Sequence, residues 1–189
     1  MQELSLNILD IAQNSVRAGA DLIRILVDEQ PRSDTLTIVV EDNGCGMTKE
    51  QLEQVADPFF TSRTTRKVGL GVPLFKMGAQ MTGGSFQIES EPGKGTRVRA
   101  VFGYSHIDRM PLGDMCETMC SLVGCNPAIN FLYFHNYNGK GFCMDTREFR
   151  AVLGDVPLDT PDVIMFIRDY LRENIELLYG GASEDEKLS

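Results

Sequence analysis

Hydrophobic residues recur along the chain either every three to four positions, as in helices, or in short runs, as in strands. The places where one pattern gives way to the other predict the boundaries of the secondary-structure elements. Residues 3–18 place apolar side chains three or four positions apart, which predicts an amphipathic helix. Two runs rich in β-branched residues, 21–28 and 34–41, predict neighbouring strands separated by a polar turn. Thr48, followed by Gln51 three residues later, is the capping pattern that opens a short helix.

The middle of the chain loses this regularity and then regains it. Residues 57–69 show neither period, so we expect a mobile loop there, followed by a helix over 70–82. Two further runs, 83–90 and 95–102, predict strands on either side of a Pro-Gly-Lys-Gly turn.

Composition shifts near residue 104, and the remaining pattern predicts a smaller unit. A helix is expected to begin with Pro111 at its first position and to continue over 112–124. A hairpin that turns at Asn138-Gly139 is expected to follow it. Thr160-Pro161 then opens a last helix, with the threonine as its cap.

This order of elements predicts two domains and a tail. The first domain is expected over residues 1–103, and the second is a small αββα domain over 104–180. Residues 181–189 are mostly acidic or polar, which predicts a disordered acidic tail.

The composition is that of an ordinary folded protein, but the charge is strongly negative. Of the 189 residues 42% are hydrophobic, and 18 Lys and Arg against 27 Asp and Glu give a formal net charge of -9. Nonspecific binding to nucleic acid and to anionic membranes depends on positive charge, so neither partner is expected. No apolar run approaches the roughly 20 residues of a membrane span, and the N-terminus lacks a signal-peptide pattern. A cytoplasmic location is therefore expected.

The five cysteines are expected to be reduced, because their number is odd and the chain carries no sign of secretion. Cys116, Cys120 and Cys125 form a CxxxCxxxxC pattern, to which Cys143 could add a fourth ligand for zinc or an iron–sulfur cluster. Structural zinc sites normally use closer CxxC pairs, so small buried residues are the favoured interpretation.

Glycine-rich segments carry the candidate chemistry. The chain has neither a GxxxxGK[ST] loop nor a GxGxxG turn, and its glycines cluster at 42–47, 69–71 and 93–96. A buried carboxylate at Asp42 beside two glycines suits an adenine, because it accepts a hydrogen bond from the exocyclic amine while the ring approaches the backbone. The Gly-Leu-Gly of 69–71 opens a helix, whose free N–H groups and dipole attract phosphates.

The first helix places Asn7, Asp10 and Asn14 on one face, at offsets of three and four. Asn14 offers an amide oxygen to Mg²⁺, which prefers oxygen ligands and also takes them from phosphates. Asp10, one turn earlier, could orient or deprotonate an attacking water. The alternative interpretations are a solvated helix face and, for Asp42-Asn43-Gly44, a simple hairpin turn.

Residues 1–103 resemble the GHKL ATPase superfamily, which includes gyrase-type topoisomerases, heat-shock chaperone ATPases, sensor histidine kinases and MutL mismatch-repair proteins. Five segments resemble the motifs of this family and stand in the family's order. They are the N box at 10–14, the first glycine box at 42–47, an F-box-like segment at 57–63, the second glycine box at 69–71 and a third region at 93–96.

The resemblance implies an α+β fold of the Bergerat type, a mixed sheet covered by helices, that binds Mg-ATP. Asp42 would hold the adenine with help from Thr96, Asn14 would bind Mg²⁺, and residues 57–69 would form the ATP lid. Asp10 would be the catalytic residue. The other nucleotide-binding positions that the resemblance implies are Gly44, Gly46, Met47, Thr61, Arg63, Lys67, Gly69, Leu70, Gly71 and Val72.

The chain departs from the family pattern in two respects. Hydrolytic members usually carry Glu where this chain has Asp10, and the shorter side chain implies slow hydrolysis. The family's lysine that contacts the γ-phosphate from a following domain has no clear counterpart, so Arg63, Arg66, Lys67 and Lys140 are all candidates.

Three functions are compatible with these residues. The first is an ATPase that acts as a nucleotide-dependent regulatory switch for an unidentified protein partner, with homodimerisation on ATP suggested by analogy alone. The second is a protein kinase, either an anti-sigma-type serine kinase or one that acts on His106, because Ser105–Leu112 resembles a phosphoacceptor H box. That box normally precedes the ATPase segment, and here it follows it. The third is an ATP-sensing module without hydrolysis.

Overall fold

The computed structural model describes residues 2–55, 57 and 70–180. Its helices are α1 (Leu4–Arg17), α2 (Lys49–Val55), α3 (Gly71–Met81), α4 (Met115–Cys125), α5 (Thr146–Leu153) and α6 (Pro161–Gly180). Its strands are β1 (Leu22–Gln30), β2 (Thr35–Asp42), β3 (Ser85–Glu91), β4 (Gly95–Gly103), β5 (Asn130–Tyr137) and β6 (Lys140–Asp145). A 3₁₀ turn, Pro31–Ser33, joins β1 to β2.

These strands form one mixed sheet in the order β3-β4-β2-β1-β5-β6. β1 pairs in parallel with β5, and the other neighbouring strands of the sheet are antiparallel. Helices pack against this sheet to form the core. The α+β class and the mixed, helix-covered sheet are therefore confirmed.

Helices α1 and α3 cover the sheet because their apolar stripes meet its alternating buried positions. Along β1, Ile23, Ile25 and Val27 are completely buried, whereas the residues between them are not. Ile8 of α1 and Phe75 of α3 are completely buried in the same core. Each such side chain stabilises the fold by about 1.5–3 kcal/mol relative to an exposed position.

The segment after residue 103 extends the same sheet. β5 and β6 continue it beyond β1, and Phe131 and Tyr133 of β5 are completely buried in the core that α1 and α3 also enter. α4 packs against both α1 and α6. The two predicted domains, 1–103 and 104–180, thus share one sheet and one core. Whether each of them folds independently stays a prediction.

The start of α4 differs from the sequence prediction. The helix begins at Met115 and not directly after Pro111, so the assignment of Pro111 to its first position is wrong. The reason is a competing cap, because Asp114 accepts a hydrogen bond from the N–H of Glu117 at 2.9 Å. Gly113, with a φ of 81°, turns the chain just before this cap.

Helix α5 was not expected from the sequence. It follows β6 directly, and Asp145 caps it by accepting a hydrogen bond from the N–H of Arg147 at 2.9 Å. The helix has only eight residues, and charged side chains interrupt its apolar positions. The predicted αββα order thus gains one helix between the hairpin and α6.

Several local predictions are confirmed at the level of single hydrogen bonds. The N–H of Thr48 donates to Oε1 of Gln51 at 3.0 Å, and the N–H of Gln51 donates to the Thr48 hydroxyl at 3.3 Å, which completes the capping box. The hairpin turns at Asn138 and Gly139, whose φ values are 50° and 81°. α6 begins at Pro161, as predicted.

The cysteines divide into buried and exposed groups. Cys116 and Cys120 are buried in α4, whereas Cys45, Cys125 and Cys143 are exposed, and all five are free thiols. Burial raises the pKa of Cys120 to about 12, so its thiol stays protonated at neutral pH. Within residues 2–55, 57 and 70–180, no three His, Cys, Asp or Glu side chains are grouped to hold a metal. No helix in that part of the chain is long and apolar enough to cross a membrane.

Truncation of Phe131 tests whether the sheet and its extension unfold together. Phe131→Ala removes a completely buried ring from β5 and should lower the free energy of unfolding by about 3–5 kcal/mol. Val152→Ala, at a position that is 88% exposed, is the control and should change it by less than about 0.5 kcal/mol. Urea unfolding followed by circular dichroism should show one shifted transition. Two transitions, of which only one shifts, would show instead that residues 1–103 and 104–180 unfold separately.

Candidate functional site

Three polar residues lie side by side at one end of β2, β4 and β3. Asp42 is the last residue of β2 and pairs with Thr96 of β4, which pairs in turn with Ser90 of β3. The hydroxyl oxygens of Thr96 and Ser90 are 2.8 Å apart. The sheet thus places Asp42 beside Thr96, the two residues that the resemblance assigned to the adenine.

Two hydrogen bonds hold the carboxylate of Asp42. Its Oδ1 accepts from the N–H of Gly44 at 2.8 Å, and its Oδ2 accepts from the hydroxyl of Ser15 on α1 at 2.5 Å. Each oxygen keeps a second lone pair with which it can accept from an amine. Ser15 was missed by the sequence analysis, because it lies within the apolar stripe of α1. Its only signal is a small hydroxyl residue directly after Asn14.

Glycines keep the backbone close around Asp42. A Cβ at Gly44 would lie 2.9 Å from the Cβ of Ala18, which directly follows α1. A Cβ at Gly46 would lie 2.0 Å from the carbonyl oxygen of Glu91, and one at Gly95 would lie 1.9 Å from that of Asp42. Gly46 and Gly95 also have φ values of 68° and 107°. These contacts form a cradle that a side chain would fill.

The loop that carries the first glycine box is anchored from two sides. The hydroxyl of Ser90 accepts from the N–H of Met47 at 2.8 Å, which ties the loop to β3. The N–H of Cys45 donates to the carbonyl of Ala18 at 2.9 Å, and the N–H of Gly93 donates to the carbonyl of Cys45 at 2.8 Å. Ser90 was also missed, because its strand position gave no sign of this contact.

The polar face of α1 runs towards the start of α3. Asp10 is exposed, and a Cβ at Gly71 of α3 would lie only 2.7 Å from the Cβ of Asp10. Asn14 is partly buried, and its Oδ1 accepts from Nη1 of Arg17 at 3.1 Å. Asn7 is buried, and its Nδ2 has no hydrogen-bond partner within the described part of the chain. This face therefore retains polar atoms that could take part in binding.

Among the residues that the structure describes, no side chain caps the start of helix α3. Leu70 stands at its N-cap position and is exposed, and Gly71 and Val72 form the first turn together with Pro73. The first N–H groups of a helix have no partner within the helix, so Gly71 and Val72 can each donate to an anion. Pro73 has no N–H and contributes no donor.

Several predicted positions lie outside the described residues. These are Thr61, Arg63, Lys67 and Gly69, together with Arg66 and nearly all of the predicted lid over 57–69. Lys140 can be placed, because it pairs with Tyr137, whose β1 partner is Glu29. The β1 partner of Asp42 is Ile23, six residues from Glu29. That separation is roughly 20 Å along the strand, so Lys140 lies far from Asp42 of the same chain, and its contact with a γ-phosphate stays a prediction.

His106 also lies far from Asp42. It comes three residues after Gly103, the last residue of β4. Gly103 is itself seven residues from Thr96, which is roughly 23 Å along the strand. His106 lies in an irregular segment, where its Nδ1 accepts from the N–H of Asp108 at 3.1 Å. The segment around it forms turns and not the helix of a phosphoacceptor hairpin.

The family of the chain follows from its first 105 residues. Residues 1–105 match the sequence profile of the histidine kinase-, DNA gyrase B- and HSP90-like ATPases, which is more than half of the chain. The chain belongs to this family, and it contains a histidine kinase-like ATP-binding domain.

Curated relatives share the same segment. The chain is 34% identical over 115 residues to the non-motile and phage-resistance protein of Caulobacter vibrioides, covering 58% of this chain and 14% of that protein. It is 40% identical over 101 residues to the sensor protein SrrB of Staphylococcus aureus, covering 51% and 17%. The chain thus spans a small part of the length of these relatives.

A solved structure supports the fold. The N-terminal domain of a DNA repair protein superposes with a TM-score of 0.51 and 15% identity, covering 77% of this chain and 53% of that one. At this identity the likeness concerns the fold alone.

Gly46→Ala tests whether the first glycine box forms the nucleotide site. The methyl group would collide with the carbonyl oxygen of Glu91, so the loop must shift, and we expect ATP affinity to fall at least about tenfold. Gly139→Ala is the matched control, because its φ is +81° and its Cβ would meet nothing within 4 Å, but it lies in the turn between β5 and β6, outside the glycine boxes. Isothermal titration with Mg-ATP measures both variants. An equal loss in both would mean that backbone strain, and not the position of the glycine box, lowers the affinity.

Proposed function

We propose that the chain binds Mg-ATP where Asp42 and Thr96 meet and hydrolyses it slowly, as a nucleotide-dependent switch for a protein partner. The observation that carries this proposal is the fixed carboxylate of Asp42 within a cradle of glycines. A carboxylate held by Ser15 and Gly44 can accept from the exocyclic amine of adenine without reorganising. The family to which residues 1–105 belong supports ATP as the ligand.

The residues present fit the other end of the nucleotide as well. The first turn of α3 has Leu70 at its N-cap position and would offer the N–H groups of Gly71 and Val72 to phosphate oxygens. Asn14 would hold Mg²⁺ through its amide oxygen, after exchange of its hydrogen bond with Arg17. When bound, Mg²⁺ supplies positive charge that offsets the charge of the phosphates.

Asp10 is the proposed catalytic residue. Its exposed carboxylate stands beside Gly71, at the helix end where the phosphates would lie. There it would orient a water and accept its proton as the water attacks the γ-phosphorus. Because Asp is one methylene shorter than Glu, we expect Asp10→Glu to release phosphate faster than the natural chain.

Transfer of the γ-phosphoryl group to a protein is the second candidate function. The similarity of residues 1–105 to a sensor protein favours it. His106 lies next to Gly103, which is roughly 23 Å along β4 from Thr96, so transfer to this histidine within one chain does not fit the fold. The acceptor would belong to a second molecule.

Asp42→Asn tests the adenine contact. It replaces one acceptor oxygen with an amide NH₂, and we expect the Kd for Mg-ATP to rise at least about tenfold. Glu41→Gln is the matched control: it removes the same charge from the preceding residue, whose carboxylate pairs with Arg24 at 3.1 Å. Titration of both variants should show a loss for Asp42→Asn alone. Equal binding by the two variants would remove Asp42 from the site.

The fate of the γ-phosphate decides between the functions. The purified chain is incubated with Mg²⁺ and γ-labelled ATP beside Asp10→Asn, Asp42→Asn and His106→Ala. We expect label to appear as free phosphate, at a rate at least about tenfold lower in Asp10→Asn, which should still bind ATP.

The other outcomes separate the alternatives. Label that stays on the protein and disappears in His106→Ala would make the chain a kinase of that histidine, acting between molecules. Tight ATP binding without release or transfer would leave an ATP-sensing module or a kinase that awaits its substrate.

A further inference from the structure

A second candidate site lies at the opposite end of α1 from Asp42. It is a cleft of about 440 Å³ between α4, α6 and the start of α1. Its apolar walls include Leu112, Met115 and Ile175, and the buried ring of His135 lies against it. The volume falls within the roughly 300–1,000 Å³ typical of small-molecule sites.

The family does not account for this cleft. Apart from Glu3, its lining comes from residues between 112 and 179, whereas the family match ends at 105. Glu3 also precedes Leu4, the first residue of α1, about 18 Å along the helix axis from Ser15. The cleft is thus separate from the proposed nucleotide site.

The charged groups around the cleft are mostly carboxylates. Glu3, Asp114 and Glu176 line it, and the single guanidinium among the lining residues belongs to Arg172. That guanidinium pairs with Glu117, which is not part of the lining, at 3.4 Å. Glu176, by contrast, has no ion pair or hydrogen bond to any of the residues that the structure describes. The cleft therefore holds an excess of negative charge next to apolar walls.

The buried polar groups at the cleft do not offset this charge. Nε2 of His135 is 2.8 Å from Oε1 of Glu29, and its Nδ1 is 2.8 Å from the hydroxyl of Tyr133. Tyr179, which also lines the cleft, donates its hydroxyl to Glu29. Burial holds the pKa of Tyr179 above its ordinary value, so this hydroxyl stays a donor. These groups are hydrogen-bonded to one another, so they are held in place on one side of the cleft.

We propose that this cleft binds a small organic cation, an ammonium or guanidinium group carried on an apolar body. The cationic group would lie against Glu176 and Glu3, and the apolar body would contact Met115 and Ile175. An anion of the same size would meet the carboxylates of Glu3, Asp114 and Glu176, and a neutral molecule would gain only the apolar contacts.

Three probes that share a phenylethyl group and differ in its terminal polar group test the charge. Phenethylammonium, 2-phenylethanol and 3-phenylpropionate are titrated into the full ¹⁵N-labelled chain at low salt and followed by amide chemical shifts. We expect saturable shifts at 113–116 and 172–179 for the cation, at least about fivefold weaker binding of the alcohol, and no binding of the anion. Equal affinity for all three, shifts elsewhere in the chain, or no saturation below about 10 mM cation would overturn the proposal.

Matched variants place the cation within the cleft. Glu176→Gln removes the carboxylate that has no partner among the described residues and should weaken the binding of phenethylammonium roughly five- to tenfold. Glu173→Gln, on the same helix but outside the lining, should leave the affinity unchanged. An equal loss in both variants would mean that net charge alone attracts the probe. Mg-ATP binding should be the same in both, so failure of this site and failure of the nucleotide site are measured separately.

Discussion

Helix α1 packs its apolar stripe across the sheet, and its two ends make different contacts. Near its C-terminal end the hydroxyl of Ser15 holds the carboxylate of Asp42 at 2.5 Å. At its N-terminal end the N–H groups of Leu4 and Ser5 donate to carbonyls of Pro111 and Leu112, at 2.9 and 2.8 Å. A displacement of α1 would break both sets of bonds and expose core residues. The proposed nucleotide site and the segment that leads into α4 are therefore both held by α1, although they lie far apart in the sequence.

Electrostatics constrain how this protein can hold an anion. The chain has a formal net charge of -9, so its long-range field opposes the approach of ATP. Favourable interactions in the proposed site would then be short in range: with the N–H groups at the start of α3, with a divalent cation held by Asn14, and between Asp42 and the amine of the base. Salt screens the long-range repulsion more than these close contacts. Moderate salt should therefore assist the encounter with ATP, in contrast to proteins that attract phosphate through a basic surface.

How much the sequence could predict depended on the range of the interactions involved. The mixed-sheet fold followed from motif order, and the capping box at Thr48 and the turn at Asn138 followed from local chemistry. The bond from Ser15 to Asp42 joins residues 27 positions apart, and a serine within an apolar stripe does not reveal which strand it will face. The parallel pairing of β1 with β5 was missed for the same reason, since about 100 residues separate the partners. At Asp114 two local signals competed, and the cap prevailed over Pro111.

The length of β2 and β4 would limit which groups a nucleotide bound at Asp42 could react with. These strands are paired along their whole length, so the distance between their ends cannot shorten without loss of the ladder of hydrogen bonds. Thr96 stands at one end of β4, and His106 follows the other, whereas phosphoryl transfer requires contact between the acceptor and the γ-phosphate. Asp10, by contrast, lies beside the first turn of α3, where the phosphates are proposed to bind. Within one chain this geometry favours attack by water over transfer to His106. An acceptor on a second molecule would have to approach the start of α3.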